Sequence, residues 1–324
     1  MKTHLVSLLC MIVTGTLGAE TAFAQAGKVK ANGIELAYER FGAPKKPVVL
    51  LIGGTASQMT LYPEAFCKKL AAQGFRVIRF DNRDAGLSTR MDKLGAPDWA
   101  AITKALGEQK APPLPYSADD MADDAAGLLD ALGIRKAHIV GVSQGGLIAQ
   151  RIAYRHPEHV LSLASIMAGG GDDTFPLVAK PEVLGKIPQP GAETDTAGFI
   201  RREIMTRMLL AGDTYPRDSV SVRADVLADV QRAYYPAGAA RQSAAALAGF
   251  YAGRAKALET IKVPTVVIHG SADPLVVVDA GKNVAQHIPG ADFQLVEGMG
   301  HDLPVKLYDK LVGIIARNAE KAGK

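Results

Sequence analysis

Ala137-His138-Ile139-Val140-Gly141-Val142-Ser143-Gln144-Gly145-Gly146 is the stretch on which the reading of the fold turns. Ala137 to Val142 is a short, mostly apolar run of strand character, and Gln144 to Arg155 carries the spacing of a helix. Ser143 therefore stands at a strand-to-helix corner with the pattern G-x-S-x-G, a turn that exposes a serine hydroxyl at the end of a buried strand. Gly141 and Gly145 belong to this elbow because side chains there would collide with its neighbours. The helix leaving the corner aims N–H groups and the positive end of its dipole at the site, which favours an anion on the reacting atoms.

Outward from this corner, short apolar runs alternate with helical patterns, the mark of βαβ units and a mostly parallel sheet. Ile34 to Phe41 alternates like an early strand, and Pro47 to Ile52 is a continuous apolar run, as a strand buried on both faces should be. Phe75 to Phe80, Val160 to Met167, Pro264 to His269 and Phe293 to Val296 read as further strands. Helices are expected over Pro63 to Ala72, Ser117 to Leu132, Val278 to His287 and Leu303 to Ala319. Ser117 can cap the second of these, Asp119 and Asp120 suit its first turn, and Gly133 stops it. The alternation breaks between Gly169 and about Lys262, where prolines give way to helical patterns such as Phe199 to Leu210 and Ala244 to Leu258. A structureless loop of that length is unfavourable, so the stretch reads as a helical insertion over the sheet. The expected organisation is a core over residues 25–169 and 254–324 with a helical cap over 170–253, inserted before the last two strands.

A serine hydroxyl is a weak nucleophile near neutral pH and needs a base, which in turn needs an orienting carboxylate. Both follow in the order Ser, Asp, His. Asp273 lies in His269-Gly270-Ser271-Ala272-Asp273-Pro274 just past a strand, and His301 lies in Gly298-Met299-Gly300-His301 just past the last one. Parallel strands bring these loops to the carboxyl edge that carries Ser143. His138, His156 and His159 fall at the opposite end of the sheet, His269 immediately precedes the acid loop, and His287 ends a helix. His301 alone combines the right edge with a glycine-flanked, flexible loop. Asp172 is the alternative orienter, following an earlier strand, with Asp173 and Asp302 as further candidates. An oxyanion site needs two N–H donors. Gln144 supplies one, and Gly54, in Gly53-Gly54-Thr55 after Pro47 to Ile52, is the favoured second.

Composition narrows the alternatives. The chain has 324 residues, 48% hydrophobic and 22% charged, which excludes a disordered or fibrous chain and leaves ample core without staples. The formal charge is +4, and no run of five or six like charges occurs, so no nucleic-acid partner is expected. Cys10 and Cys67 are too few for a disulfide framework or a Cys-rich zinc site, and no His-carboxylate spacing suggests a metal. Met1 to Ala24 reads as a secretory signal peptide, with Lys2, an apolar stretch from Leu5 to Ala19 and the cleavage pattern Ala22-Phe23-Ala24. A membrane anchor is the weaker reading, because the apolar stretch falls short of the roughly 18–20 residues that span a bilayer. A lipoprotein reading through Cys10 lacks the small residues before the cysteine. Cleavage removes Lys2, Glu20 and Cys10, leaving the charge unchanged and Cys67 alone as a small buried hydrophobe.

Taken together, Gly141-Val142-Ser143-Gln144-Gly145-Gly146, His269 to Pro274 and Gly298 to Pro304 resemble the α/β-hydrolase superfamily over nearly all of the mature sequence. Asp81-Asn82-Arg83-Asp84-Ala85-Gly86-Leu87-Ser88 is similar to that family's turn after its fourth strand. Within the superfamily the chain looks most like the aclacinomycin methylesterase type, sharing Gly53-Gly54 in place of the usual His-Gly, the turn Arg83 to Thr89, and Gly-Met-Gly-His-x-Leu-Pro. The resemblance implies the α/β-hydrolase fold with a helical cap, a serine esterase activity and no cofactor. A serine at 143 argues against haloalkane dehalogenases and epoxide hydrolases of this fold, and no His-Gly-Gly-Pro-Gly motif points to a proline iminopeptidase.

The expectation is an exported (periplasmic or secreted) carboxylic-ester hydrolase acting on a small or methyl ester or a lactone. Ser143 is its nucleophile, His301 its base, Asp273 the orienter, and Gly54 and Gln144 the oxyanion donors. The same residues used for perhydrolysis, acyl transfer or C–C hydrolysis form the alternative, and a non-catalytic binding protein on this scaffold is a third reading. No membrane association is expected after signal cleavage, and oligomeric state is left open. Met205, Met208, Leu209, Leu210, Phe250 and Tyr251 are candidates for an apolar pocket, with burial in the cap's own core as the simpler reading. Arg201, Arg202 and Arg207 read as a solvated helix face.

Overall fold

The computed structural model describes residues 25–170 and 195–323. The signal-peptide reading of 1–24, the alternative acids Asp172 and Asp173, and the first part of the insertion lie outside the described residues. Eight strands form one sheet: β1 (Gln25–Ala31), β2 (Ile34–Phe41), β3 (Val48–Ile52), β4 (Arg76–Phe80), β5 (Ala137–Val142), β6 (Val160–Ile166), β7 (Thr265–Gly270) and β8 (Asp292–Val296). Their order is β1-β2-β4-β3-β5-β6-β7-β8, with β1–β2 and β2–β4 antiparallel and the other pairs parallel.

The buried strands read as continuous apolar runs because both faces are covered, and successive residues serve opposite layers. Leu50, Ile52, Ile78, Ile139, Leu163 and Val267 join one buried cluster. That cluster is closed by α3 (Ala118–Ala131), α4 (Gln144–Arg155), the short α8 (Ala255–Leu258) and α9 (Val278–His287). Val49, Leu51, Val77, Val140, Ala164 and Val266 join the other, against α1 (Glu64–Ala72) and α10 (Tyr308–Glu320). Cys67 is fully buried there, and burial pushes its thiol up to about 12, so it packs as a hydrophobe. Ser117 caps α3 as its sequence suggests: its Oγ accepts from Asp120 N at 3.2 Å, while the Asp120 carboxylate accepts from Ser117 N at 2.8 Å.

Three elements depart from the sequence reading. β1 was not anticipated, because QAGKVKA offers little apolar alternation and most of it is solvent-facing at the sheet edge. Its signal was the turn: Asn32 and Gly33, at φ 46° and 77°, make the two-residue hairpin that an Asn-Gly pair favours. α2 (Trp99–Gly107) is also outside the expected set of helices; Ile102 is its only buried residue. In the insertion, α5 (Thr196–Ala211), α6 (Ser219–Ala233) and α7 (Pro236–Tyr251) lie between β6 and β7. The helix expected over Ala244 to Leu258 is instead α7 and α8, because Arg254 turns inward between them. There its guanidinium bonds to Gly249 O at 2.7 Å, Gly169 O at 2.8 Å and Gln150 Oε1 at 2.9 Å.

The chain leaves β3 toward β4 on one side and leaves β5 toward β6 on the other. The carboxyl ends of β3 and β5 therefore flank the point where the winding reverses, the place at which open α/β sheets bind ligands. Ile52 and Gly141 are register partners there, so the residues that follow each strand emerge side by side.

Candidate active site

Ser143 follows β5 directly and holds φ 55° and ψ −120°, a conformation a non-glycine residue keeps only when its surroundings impose it. The imposing contacts are explicit. Ser143 N donates to Ile166 O at 2.9 Å, and Leu147 N donates to Ser143 O at 3.1 Å, so the residue is fixed between β6 and the first turn of α4. A Cβ on Gly141 would lie 2.0 Å from Gly145 O, and one on Gly145 would lie 2.1 Å from Ile52 O. The two glycines of the motif are thus steric requirements of the elbow. The Ser143 side chain caps nothing and remains partly exposed at the sheet edge.

Gly54 and Gln144 both border this serine. A Cβ on Gly54 would be 3.4 Å from Ser143 Cβ, which places the turn after β3 against the nucleophile candidate. Ser57 N donates to Gly54 O at 3.2 Å to close that turn, and Ala56 within it holds φ 57°. Gln144 opens α4, where backbone N–H groups have no intrahelical acceptor. Its side chain is fully buried, with Nε2 donating to Gln242 O at 3.1 Å.

Asp273 and His301 meet on the far side of the same edge. His301 Nδ1 lies 2.8 Å from Asp273 Oδ2, and Asp273 Oδ1 accepts from Leu275 N at 2.8 Å and Val276 N at 2.9 Å. The Asp273 side chain is wholly buried. Burial pushes its carboxyl up, but the charge and hydrogen bond of His301, with help from His269 and Val276 N–H, outweigh that and hold it below its ordinary value. An ionised carboxylate only accepts, so Nδ1 carries a proton, and in the neutral imidazole Nε2 is then the nitrogen with the lone pair. That tautomer is the one a general base requires. Ser143 Oγ and His301 are not hydrogen-bonded to each other in this structure; such contacts commonly tighten when substrate is engaged.

The loop bearing His301 packs against the insertion. His301 N donates to Leu210 O at 2.7 Å, and a Cβ on Gly300 would lie 2.3 Å from Ala211 O, so the C-terminal end of α5 presses directly on the loop. Gly300 serves that close approach. Beside it, the Asp302 carboxyl is buried with neither oxygen hydrogen-bonded among the described residues. Burial pushes it up to about 7, against Arg217 and His301, which favour its charge, and with Asp273, which opposes it.

The remaining histidines sit elsewhere. His138 Nδ1 is 2.9 Å from Ser162 Oγ, and burial lowers it to about 4. His156 pairs with Asp123 at 2.7 Å, His159 contacts Arg135 O at 3.0 Å, and His287 stands 3.7 Å from Glu259. His269 lies 3.5 Å from Asp273 Oδ2, but its Nε2 meets Val276 O at 3.0 Å. Burial pulls its pKa down and its Nε2 donates to the Val276 carbonyl, so it supports the acid loop.

Several residues at this edge carried no signal in the sequence. Arg232 of α6 reaches Asp81 Oδ2 at 2.8 Å and Gln58 Oε1 at 2.6 Å. Arg241 of α7 forms a two-pronged pair with Asp84 at 2.8 and 3.0 Å, with both side chains buried. Arg207 pairs with Asp229 at 2.7 Å and Arg202 stacks on Phe199, so neither belongs to a solvated face, whereas Arg201 is exposed. Met205, Met208 and Tyr251 are 58%, 42% and 47% exposed and form no core of the insertion. Among the described residues, no group of three or more His, Cys, Asp or Glu could hold a metal ion, and no helix is long and apolar enough to cross a membrane.

Comparison with known proteins agrees with this architecture. Residues 46–305 match the family model described as the alpha/beta hydrolase fold. The chain is similar to a rhodomycin D methylesterase of Streptomyces sp. (strain C5), 30% identical over 318 residues, covering 91% of this chain and 98% of the relative. It is similar also to the rhodomycin D methylesterase of Streptomyces peucetius, 29% identical over 313 residues, covering 89% and 96%. A meta-cleavage product hydrolase from Pseudomonas fluorescens IP01 superposes with a TM-score of 0.70 at 22% identity, covering 91% of this chain and 98% of that one, a likeness of fold. With the sheet order, the serine elbow and a family match spanning most of its length, the chain belongs to the α/β-hydrolase fold family.

Proposed function

We propose that this protein is an exported serine hydrolase of carboxylic esters, with a small or methyl ester, or a lactone, as its substrate. The observation that carries the reading is a strained, partly exposed Ser143 at the strand-to-helix elbow, on the same sheet edge as an imidazole held by the buried Asp273 carboxylate. Ser143 Oγ attacks the ester carbonyl carbon while His301 Nε2 takes the hydroxyl proton. The carbonyl oxygen becomes an oxyanion held by the backbone N–H groups of Gln144 and Gly54. Collapse expels the alcohol, which leaves with the proton from His301, and forms an acyl-Ser143 ester. Water then attacks that ester, gives its proton to His301, and releases the acid as Ser143 is re-protonated. No cofactor enters these steps.

Helices α5, α6 and α7, between β6 and β7, act as part of the cap and set substrate size. Similarity to two enzymes named as methylesterases supports a methyl ester among the candidate substrates. Export rests on residues 1–24 and places the mature chain, beginning at Gln25, in the periplasm or medium.

The decisive experiment is Ser143→Ala assayed on p-nitrophenyl acetate and on a panel of methyl esters and lactones, with fluorophosphonate labelling of both proteins. The wild type should hydrolyse members of the panel and label at Ser143. The variant should lose at least about a thousandfold in kcat while keeping its unfolding temperature. Equal turnover by the variant, or no labelling of the wild type, would refute the assignment.

A further inference from the structure

We infer that Gln242, on α7 of the insertion, is a positioning residue for the oxyanion site; this rests on the reading of Ser143, Gly54 and Gln144 given above. Gln242 is fully buried and touches both halves of that site. Its side-chain Oε1 accepts from Ala56 N at 2.7 Å, in the turn that lays Gly54 against Ser143. Its side-chain Nε2 donates to Arg83 O at 2.6 Å. Its backbone oxygen accepts from Gln144 Nε2 at 3.1 Å.

The orientation of this amide is set by its partners. An N–H can meet only an oxygen and a carbonyl can meet only an N–H, so Ala56 and Arg83 together admit one of the two flips. A buried residue held this way has little freedom, and what it holds is itself strained. Ala56 sits at φ 57°, a conformation costly for alanine, and Oε1 of Gln242 takes its N–H, which the turn's own closing bond from Ser57 N to Gly54 O does not use. Without that acceptor the Ala56 N–H would be left without a partner beneath the insertion, and the turn would relax toward a less strained form. Gly54 moves with it, since Gly54 O closes the same turn with Ser57 N.

The second contact acts on the other donor. Gln144 has its side chain pinned between Gln242 O and Met121 Sδ, at 3.1 and 3.5 Å. That pin fixes the first residue of α4, whose N–H is the other oxyanion donor. One residue of the inserted helix thus sets the spacing between two donors that come from different strand ends. The far end of the same loop is held by α6, where Gln58 Nε2 donates to Asp229 O at 2.6 Å and Thr60 Oγ1 to Asp229 Oδ1 at 2.6 Å. The acyl-accepting site is therefore assembled only with the inserted helices in place.

Gln242→Met tests this, because methionine keeps the length and volume and removes both side-chain bonds. For p-nitrophenyl acetate, kcat should fall about 10- to 100-fold, the loss expected when a donor drifts by a fraction of an ångström to an ångström. KM should stay within about threefold, since the contact matters where charge develops. Inhibition by a trifluoromethyl ketone, whose hemiketal oxygen occupies the oxyanion site, should weaken in proportion to kcat/KM, while inhibition by phenol, which carries no carbonyl or carboxylate oxygen, should not change. Gln242→Ser, which leaves room for a water to bridge Ala56 N and Arg83 O, should lose less. Wild-type kcat and ketone affinity in Gln242→Met overturn the inference, as does a parallel loss of phenol affinity. Failure of both variants to fold would make Gln242 a residue of the fold alone and overturns it too. These outcomes are separate from the hydrolase reading, which stands or falls on wild-type turnover and labelling at Ser143.

Discussion

Replacing Asp302 by Asn should stabilise this protein, and by an amount that grows with pH. Both carboxyl oxygens of Asp302 are buried without a hydrogen bond among the described residues, and burial holds the group at about 7. In the unfolded chain an Asp carboxyl titrates near 3.9. Between those values the folded protein binds a proton that the unfolded chain has released, so the unfolded state holds fewer protons and stability falls as pH rises. The loss begins near pH 4 and is complete above about pH 8; at 1.36 kcal/mol per pH unit it amounts to about 4 kcal/mol. Asp273 has the opposite sign: its carboxyl is held low, so its contribution is present above the ordinary Asp value and is lost as pH falls through the lower folded value. Asparagine at 302 keeps the volume, does not titrate, and is no better partnered than the neutral acid. Urea unfolding of both proteins at half-unit steps from pH 4 to pH 8 gives the difference directly. The two curves should nearly coincide, apart from a constant offset, at the acid end. They should separate by roughly 4 kcal/mol at the alkaline end. A difference that stays flat within about 1 kcal/mol would show that Asp302 is ionised and partnered, and would refute the reasoning.

Two further variants probe the geometry that places the site. Gly145→Ala puts a Cβ 2.1 Å from Ile52 O and 2.7 Å from Gly53 O, both backbone atoms. It should cost more than about 4 kcal/mol or leave the chain insoluble, read from soluble yield and unfolding temperature; a wild-type unfolding temperature would contradict the elbow described. Arg241→Met leaves the wholly buried Asp84 carboxylate without its two-pronged partner. A loss of about 3–5 kcal/mol in urea unfolding is expected, and a loss below about 1 kcal/mol would mean the α7–turn pair is not a strut.

The hydrophobic pattern and the short motifs made the sheet legible because a strand covered on both faces has to be apolar throughout, and a serine on a tight corner has to be flanked by glycine. Ser143 with Gly141 and Gly145, the pairing of Asp273 with His301, and the sorting of the other histidines all followed from which end of which strand each residue occupied. β1 was missed for the converse reason: an edge strand facing solvent needs little apolar alternation, and only its Asn32-Gly33 turn marked it.

What the sequence by itself determined, then, is the local chemistry and the strand ends that carry it, since elbow, acid loop and base loop are each written in a few contiguous residues. Only the tertiary structure decided how those pieces are held. Gln242 on Ala56 and Gln144, Arg232 on Asp81, Arg241 on Asp84, and Leu210 O on His301 N each join residues more than 90 positions apart. Glutamines and arginines on a helix have no spacing that marks their partners. Their roles exist only once the inserted helices are laid across the sheet edge, where burial turns an ordinary polar side chain into one that must find its hydrogen bonds.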